Sequence, residues 1–272
     1  MSNEITNSVQ KLNLVLSKSP YINELDLLSL RERCFNSQPF RYICIDGMWD
    51  EDFLTKVSDE VLEFEDWAGE KDFYGSKKKR WQADWDLLPS NTNSFLAYLN
   101  QPTVLKLIEF ITGEEGLIAD PYLEGGGIHS TGNGGFLKLH ADFNWNSKLK
   151  LYRRINILVY LNKDWNSDFG GQVELAGKNS SGEFESLVAL EPIFNRTLIF
   201  ITDDSSFHGQ PNPVNHPLNS RRNSIAAYYY VANKPTGTSD VKRVGTNYVN
   251  EDGSKMHESI VTKVVRKLKR LL

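Results

Sequence analysis

A mainly β protein with flanking helices (α+β) is what this sequence predicts, on three observations. Beyond about residue 115, glycine-rich turns alternate with short apolar segments, the pattern of many short strands in a sandwich or barrel. The gaps between those segments are too short for repeated crossover helices, so a doubly wound parallel sheet is set aside. Before residue 115 the apolar residues fall mostly at helical spacing.

The elements follow in chain order. Residues 1–40 are mixed and predict a helical extension, with one helix around Leu25–Arg33. Arg41-Tyr42-Ile43-Cys44-Ile45 predicts a buried strand that ends at the turn pair Asp46-Gly47. Asp50 is placed as an N-cap, with Glu51 and Asp52 where acid complements the helix dipole. Phe53, Val57, Val61 and Phe64 then form one apolar stripe. A second helix is predicted over Val104–Ile111, between Pro102 and Gly113. Turns are expected at Gly125-Gly126-Gly127, Gly134-Gly135 and Gly170-Gly171, and strands over Arg154–Leu161, Thr197–Thr202 and Ser224–Val231. Residues 236–254 have the composition of a polar linker. Ile260, Val264, Leu268 and Leu271 give the last segment an amphipathic helical pattern with a basic face. That segment could lie on an anionic membrane, dock a partner or pack on its own barrel. Three regions result: 1–40, a domain over 41–235, and 236–272.

Composition narrows the function. The chain has 272 residues, 40% of them apolar and 24% charged, enough to bury a full core. A net charge of −4 argues against a general nucleic-acid binder, and no nucleic-acid partner is expected. Cys34 and Cys44 are too few for a disulfide scaffold or a cysteine-rich zinc module. No apolar run reaches the length of a membrane span, and Met1-Ser2-Asn3-Glu4 lacks the layout of a signal peptide. A cytoplasmic enzyme or binding domain is the expectation.

One cluster suggests chemistry. In Leu139-His140-Ala141-Asp142, the imidazole and carboxylate stand two positions apart, on one side of a strand. His208 follows the apolar strand Thr197–Thr202 and supplies a third donor. Two histidines and a carboxylate make the facial triad of non-haem Fe(II) sites, with positions left open for other ligands. Spacing alone leaves a zinc or manganese site, or two unrelated histidines, equally open. Downstream, Arg222, Ser224, Ala226 and Tyr228 share one strand face, where small side chains leave room for a dicarboxylate beside the guanidinium. Arg221 points the other way. Asn156, Leu158 and Tyr160 share a face of the neighbouring strand; Tyr160 either donates to that carboxylate or is a core tyrosine.

Taken in order, His140-x-Asp142, Tyr160-Leu161-Asn162-Lys163-Asp164-Trp165, Gly170-Gly171, Asn195-Arg196, His208 and Arg222-x-Ser-Ile-Ala-x-Tyr-Tyr-Tyr resemble the 2-oxoglutarate/Fe(II)-dependent oxygenases, in their prolyl 4-hydroxylase-like branch. The resemblance covers residues 123–232 and is weaker over 39–122. It implies a double-stranded β-helix (jelly-roll, cupin-like) core. It implies His140, Asp142 and His208 as iron ligands, and Arg222, assisted by Tyr160, as the 2-oxoglutarate site; Asn156, on the face of Tyr160, either contacts that co-substrate or satisfies buried backbone. Fe(II), 2-oxoglutarate and dioxygen are the implied cofactor and co-substrates, with ascorbate as a reductant. The implied activity is hydroxylation of a C–H bond of an organic substrate, a prolyl residue of a protein or else a sugar, glycan or free amino acid. A non-catalytic barrel and a zinc hydrolase are the readings from other classes.

Other residues stay open at this stage. Asn144 either orients an iron ligand or caps a turn, and His129 is either substrate-side or a solvated loop histidine. His216 is placed in a loop, and His257 on the surface of the terminal helix. The basic run Lys77-Lys78-Lys79-Arg80 is placed in a loop that either draws an acidic substrate or is simply solvated.

Overall fold

The computed structural model describes residues 3–250 and 252–256. The amphipathic segment 260–272 and His257 lie outside the described residues. Among the described residues there are five α-helices: α1 (Asn3–Leu16), α2 (Leu27–Phe35), α3 (Glu51–Leu62), α4 (Ser90–Leu99) and α5 (Pro102–Thr112). No helix among the described residues is long and apolar enough to cross a membrane.

The strands are β1 (Tyr42–Asp46), β2 (Gly69–Phe73), β3 (Ser76–Gln82), β4 (Ile118–Ala119), β5 (Gly127–Ala141), β6 (Trp145–Asn146), β7 (Leu151–Tyr160), β8 (Val173–Lys178), β9 (Phe184–Leu190), β10 (Arg196–Ile201), β11 (Phe207–Gln210), β12 (Arg222–Val231) and β13 (Asn247–Tyr248). Their main path runs β1-β10-β7-β12-β5-β11-β8-β9, with every pairing along it antiparallel. β5 curls this sheet into a roll. Its first part, Gly127–Thr131, pairs with β12, while Leu137 and His140 pair with β11. The Gly134-Gly135 pair, expected as a turn, lies inside β5. Gly134, at φ +73°, lets the strand bend where a side chain would be strained.

Period two sorts the side chains into two cores. Ile155, Ile157 and Val159 of β7, with Ile225, Ala227 and Tyr229 of β12, face the helices and join Val57, Phe95 and Ile108 in one apolar cluster. The alternate residues face the interior of the roll, among them Leu158, Tyr160, Leu198 and Phe200. The helices form as their termini dictate. Asp50 accepts from the Phe53 N–H at 2.8 Å, and α5 starts at Pro102 and stops at left-handed Gly113. Asn195 locks the layers together: its side chain bonds both the N–H and the carbonyl of Trp49, whose indole N–H donates to Thr197 Oγ1 at 2.7 Å.

Two expectations about loops are corrected. The basic run 77–80 is a strand, β3, paired with β2 on one side and β5 on the other. Its alternation is hidden in sequence because lysines occupy both faces. Residues 236–250 are no free linker: Arg243 donates to Asp204 and to the Asp142 carbonyl, both at 2.8 Å, and β13 pairs with the end of β5.

The start of β5 is held without slack. Gly127 sits at φ +86°, and a Cβ there would lie 2.1 Å from the Gln82 carbonyl oxygen. Gly127→Ala is expected to destabilise the fold by about 2–3 kcal/mol through strain and backbone displacement. A urea or thermal melt checks this, and an unshifted midpoint would contradict it.

Candidate metal and dicarboxylate site

His140 and His208 are brought together by register, because they stand directly opposite each other on antiparallel β5 and β11. Opposed residues project from the same face, and the two rings lie 4.5 Å apart between centroids. Asp142 follows two positions after His140, as the strand ends. One ligand atom from each of His140, Asp142 and His208 lies within 4.8 Å of the others, and all three residues are buried. Among the described residues this is the one such cluster of histidine, cysteine and acidic groups.

The donors are preset. His140 Nδ1 lies 2.7 Å from the Lys138 carbonyl, and His208 Nδ1 lies 3.0 Å from the Ser206 carbonyl. A carbonyl only accepts, so each Nδ1 carries the proton and each Nε2 is left with a lone pair. Those Nε2 atoms face the carboxylate, at 3.6 Å from Asp142 Oδ1 and 3.4 Å from Oδ2. Burial, then the neighbouring His208, holds His140 below the usual imidazole range and so in its neutral form.

The carboxylate is oriented from behind. Asp142 Oδ2 accepts from Arg153 Nη2 at 2.8 Å and from Asn156 Nδ2 at 2.8 Å. Arg153 in turn donates from Nε to Asn156 Oδ1 at 2.9 Å and stacks over Tyr228, 3.4 Å from the ring centre. Burial pushes the Asp142 carboxyl up, but the Arg153 guanidinium beside it more than reverses this and holds it well below the ordinary range. Asn156 therefore lies against Asp142 and contacts the metal-type cluster.

Arg222 lines the same cavity, which holds about 320 Å³. Its side chain is buried, its Nε donates to the Gly171 carbonyl, and its guanidinium stands 4.9 Å from the Tyr160 ring centre. No carboxylate pairs with it among the described residues. Tyr160 is fully buried, and its hydroxyl has no hydrogen-bond partner among the described residues. A buried cation and an unpartnered hydroxyl side by side fit a missing anion, since each alone would be costly to bury. Ser224 completes this face, as the sequence predicts, and Arg221 points away to bond Ser130.

Several residues came out differently from expectation. Asn144 neither touches the cluster nor caps a turn; it bonds Asp204 and both ends of the 241–243 backbone. His129 is no solvated loop histidine but a buried residue of β5 that lines the cavity. His216 is in a loop, as predicted, though buried against Trp165 and Phe169. Arg153 and Tyr248 were missed. Tyr248, from β13, lays its ring 5.3 Å from that of His140. A larger cavity of about 550 Å³ between α1 and α5 lacks this donor set.

The comparisons with known proteins agree with this geometry. Among solved structures, the chain is similar to a prolyl-4-hydroxylase from Pseudomonas putida at 14% identity, TM-score 0.54, covering 75% of this chain and 98% of that one. It is similar to a Trichoplax adhaerens prolyl hydroxylase, solved with a hypoxia inducible factor oxygen degradation domain peptide, at 19% identity and TM-score 0.54, covering 83% and 93%. HygX from Streptomyces hygroscopicus, with nickel, 2-oxoglutarate and hygromycin B bound, aligns at 14% identity and TM-score 0.52 over 82% and 97%. At these identities the likeness is one of fold, and it agrees with a jelly-roll core. Residues 126–230, the stretch that carries His140, Asp142, His208 and Arg222, match the family model of the 2OG-Fe(II) oxygenase superfamily.

Proposed function

We propose that the protein is an Fe(II)- and 2-oxoglutarate-dependent dioxygenase that hydroxylates a C–H bond of an organic substrate. The observation that carries this reading is one cavity holding three convergent metal donors and a buried arginine that, among the described residues, has no acidic partner and stands beside a tyrosine hydroxyl with no hydrogen-bond partner. A zinc hydrolase has no use for the second half of that arrangement. The first reading of the substrate is a prolyl residue of a protein, supported by the hydroxylase fitted with a peptide. The same chemistry on a sugar, glycan or free amino acid is the second, supported by the likeness to HygX with hygromycin B.

When bound, iron and 2-oxoglutarate supply the oxidising power, and the co-substrate is decarboxylated to succinate. The chain does the rest. His140, Asp142 and His208 hold the metal through Nε2, a carboxylate oxygen and Nε2. Arg153 and Asn156 occupy Oδ2 of Asp142 and so fix how the carboxylate is presented. Arg222 receives the far carboxylate of the co-substrate, and Tyr160, kept protonated by burial, donates its hydroxyl to the same group. Ser224, small and on the cavity wall, leaves space in which that molecule lies. The Tyr248 ring, with the 241–248 segment tied down by Arg243, screens the metal end from bulk water.

Anaerobic addition of Fe(II) and 2-oxoglutarate is expected to produce the visible metal-to-ligand charge-transfer band of such a chelate. Succinate release against peptides, amino acids and glycans then ranks substrates, with His140→Ala as the blank. Absence of the band would reject the reading.

A further inference from the structure

Two lysines in the cavity are used neither by the metal donors nor by the dicarboxylate clamp. Lys71 on β2 pairs with Lys79 on β3, Lys79 stands opposite Thr131 on β5, and Thr131 stands opposite Arg222 on β12. Residues directly opposed on antiparallel strands share a face. A row of side chains therefore runs from exposed Lys71 at the mouth, through half-buried Lys79, to buried Arg222, and all line the same cavity. Neither lysine forms a salt bridge among the described residues.

The balance of charge is unusual for this chain. Its net charge is −4, yet the cavity is lined by four cationic side chains, Lys71, Lys79, Arg153 and Arg222, against two acidic ones, Asp142 and Glu124. Asp142 is engaged by Arg153, and Glu124 stands exposed at the rim. A ferrous ion and a doubly charged keto acid cancel each other, so loading the site leaves the surplus in place. The surplus is felt: burial, with Lys71, Arg222 and Arg153 close by and only Asp142 opposing, brings the Lys79 ammonium down to about 7. His129, beside both lysines, is pushed well below its usual range. Lys71 also lines an adjoining groove of about 470 Å³, where Lys148 sits 3.4 Å from the centre of the Tyr122 ring and Trp81 forms another wall.

We propose that the substrate presents an anionic group, a carboxylate or a phosphate, to Lys71 and Lys79 beside the bond that reacts. This rests on the dioxygenase reading of the cavity. Lys71 is exposed and also lines the outer groove, whereas Arg222 is buried, so the pair serves the mouth of the cavity and Arg222 its inner wall. A neutral substrate would leave both lysines in the cavity without an acidic partner, Lys71 having only the Trp81 ring 5.2 Å from its ammonium.

The test uses the full chain loaded with Mn(II) and saturating 2-oxoglutarate. Inorganic phosphate and acetate are titrated by calorimetry at fixed ionic strength, with chloride as the balancing ion. At least one is expected to bind saturably in the low-millimolar range, and the preferred one tells phosphate from carboxylate. Lys71→Met and Lys79→Met are each expected to weaken that binding about tenfold or more while 2-oxoglutarate affinity stays within about twofold. Lys71→Gln and Lys79→Gln, with thermal melts, guard against misfolding. Binding of neither anion, or equal binding by wild type and variants, would overturn the proposal. So would a tenfold loss of 2-oxoglutarate affinity in Lys79→Met, which would assign that lysine to the co-substrate clamp. A protein that takes up Mn(II) and 2-oxoglutarate but ignores both anions refutes this proposal alone. One that takes up neither refutes the dioxygenase reading as well.

Discussion

Asp142→Ala is expected to abolish tight metal binding and to destabilise the metal-free protein at the same time. The carboxylate closes the triad, and it is also the counter-ion of Arg153, which is 2% exposed and stacked on Tyr228. Cutting away one partner of a buried pair leaves the other charge unpaired, at a cost of about 3–5 kcal/mol. Loss of an outer-sphere partner weakens metal binding by about 10–100-fold, and loss of a direct ligand is expected to exceed that. Asp142→Asn separates the effects. Its amide oxygen can still accept from Arg153, so much of the stability is expected to return while Mn(II) affinity does not. Calorimetry with Mn(II) and a thermal melt read both quantities. Wild-type metal affinity in either variant would mean that the ligand set is wrong.

Arg222→Ala is expected to give the opposite pattern. Here the buried cation has no anionic partner among the described residues, and burial already disfavours its charge. Removing it therefore takes away a desolvation penalty along with its hydrogen bond to Gly171, and the metal-free fold is expected to lose less than it does in Asp142→Ala. The co-substrate is where the loss falls. Its far carboxylate would be left unpaired beside Tyr160, at a cost of about 2–5 kcal/mol, or roughly a thirtyfold to several-thousandfold loss of affinity. Mn(II) affinity is expected to be unchanged. A shift in melting temperature on adding 2-oxoglutarate, large in wild type and absent in the variant, is the measurement. An undiminished shift would remove Arg222 from the clamp. Arg222→Lys is not expected to restore it, because the bidentate geometry of the guanidinium is lost.

The His140–Asp142 pair was legible because its signal is local and regular, whereas His208, far along the chain, was tied to it by the ordered resemblance. His140-x-Asp142 needed only strand alternation, and Arg222, Ser224 and Tyr228 fell on one face by the same count. Helices α3 and α5 announced themselves through Asp50, Pro102 and Gly113. Arg153 was hidden for a definite reason. Tyr229 pairs with Ile155 but Tyr230 pairs with Arg153, so Arg154 is an extra residue in β7. This bulge switches the parity of the strand. It turns Arg153 inward with Asn156 and sends Arg154 outward to Glu114 at 2.7 Å. A period-two count carried back from Asn156 would have chosen Arg154. The β2–β3 hairpin escaped because lysine stands on both faces of β3, leaving no apolar alternation. Tyr248 escaped because a two-residue pairing in a polar stretch carries no periodic signal at all.

The tethering of His140 and His208 to carbonyls of their own strands bears on how the protein is handled. With both rings aimed before any ion arrives, little ordering remains to be done on binding, and geometry gives ferrous iron small advantage over its neighbours in the first transition row. Nitrogen and oxygen donors then follow the general affinity series, in which zinc and copper outrank iron. Preparations exposed to trace zinc, or to nickel from an affinity column, should therefore be stripped by chelation and reloaded under nitrogen before inactivity is taken to mean anything.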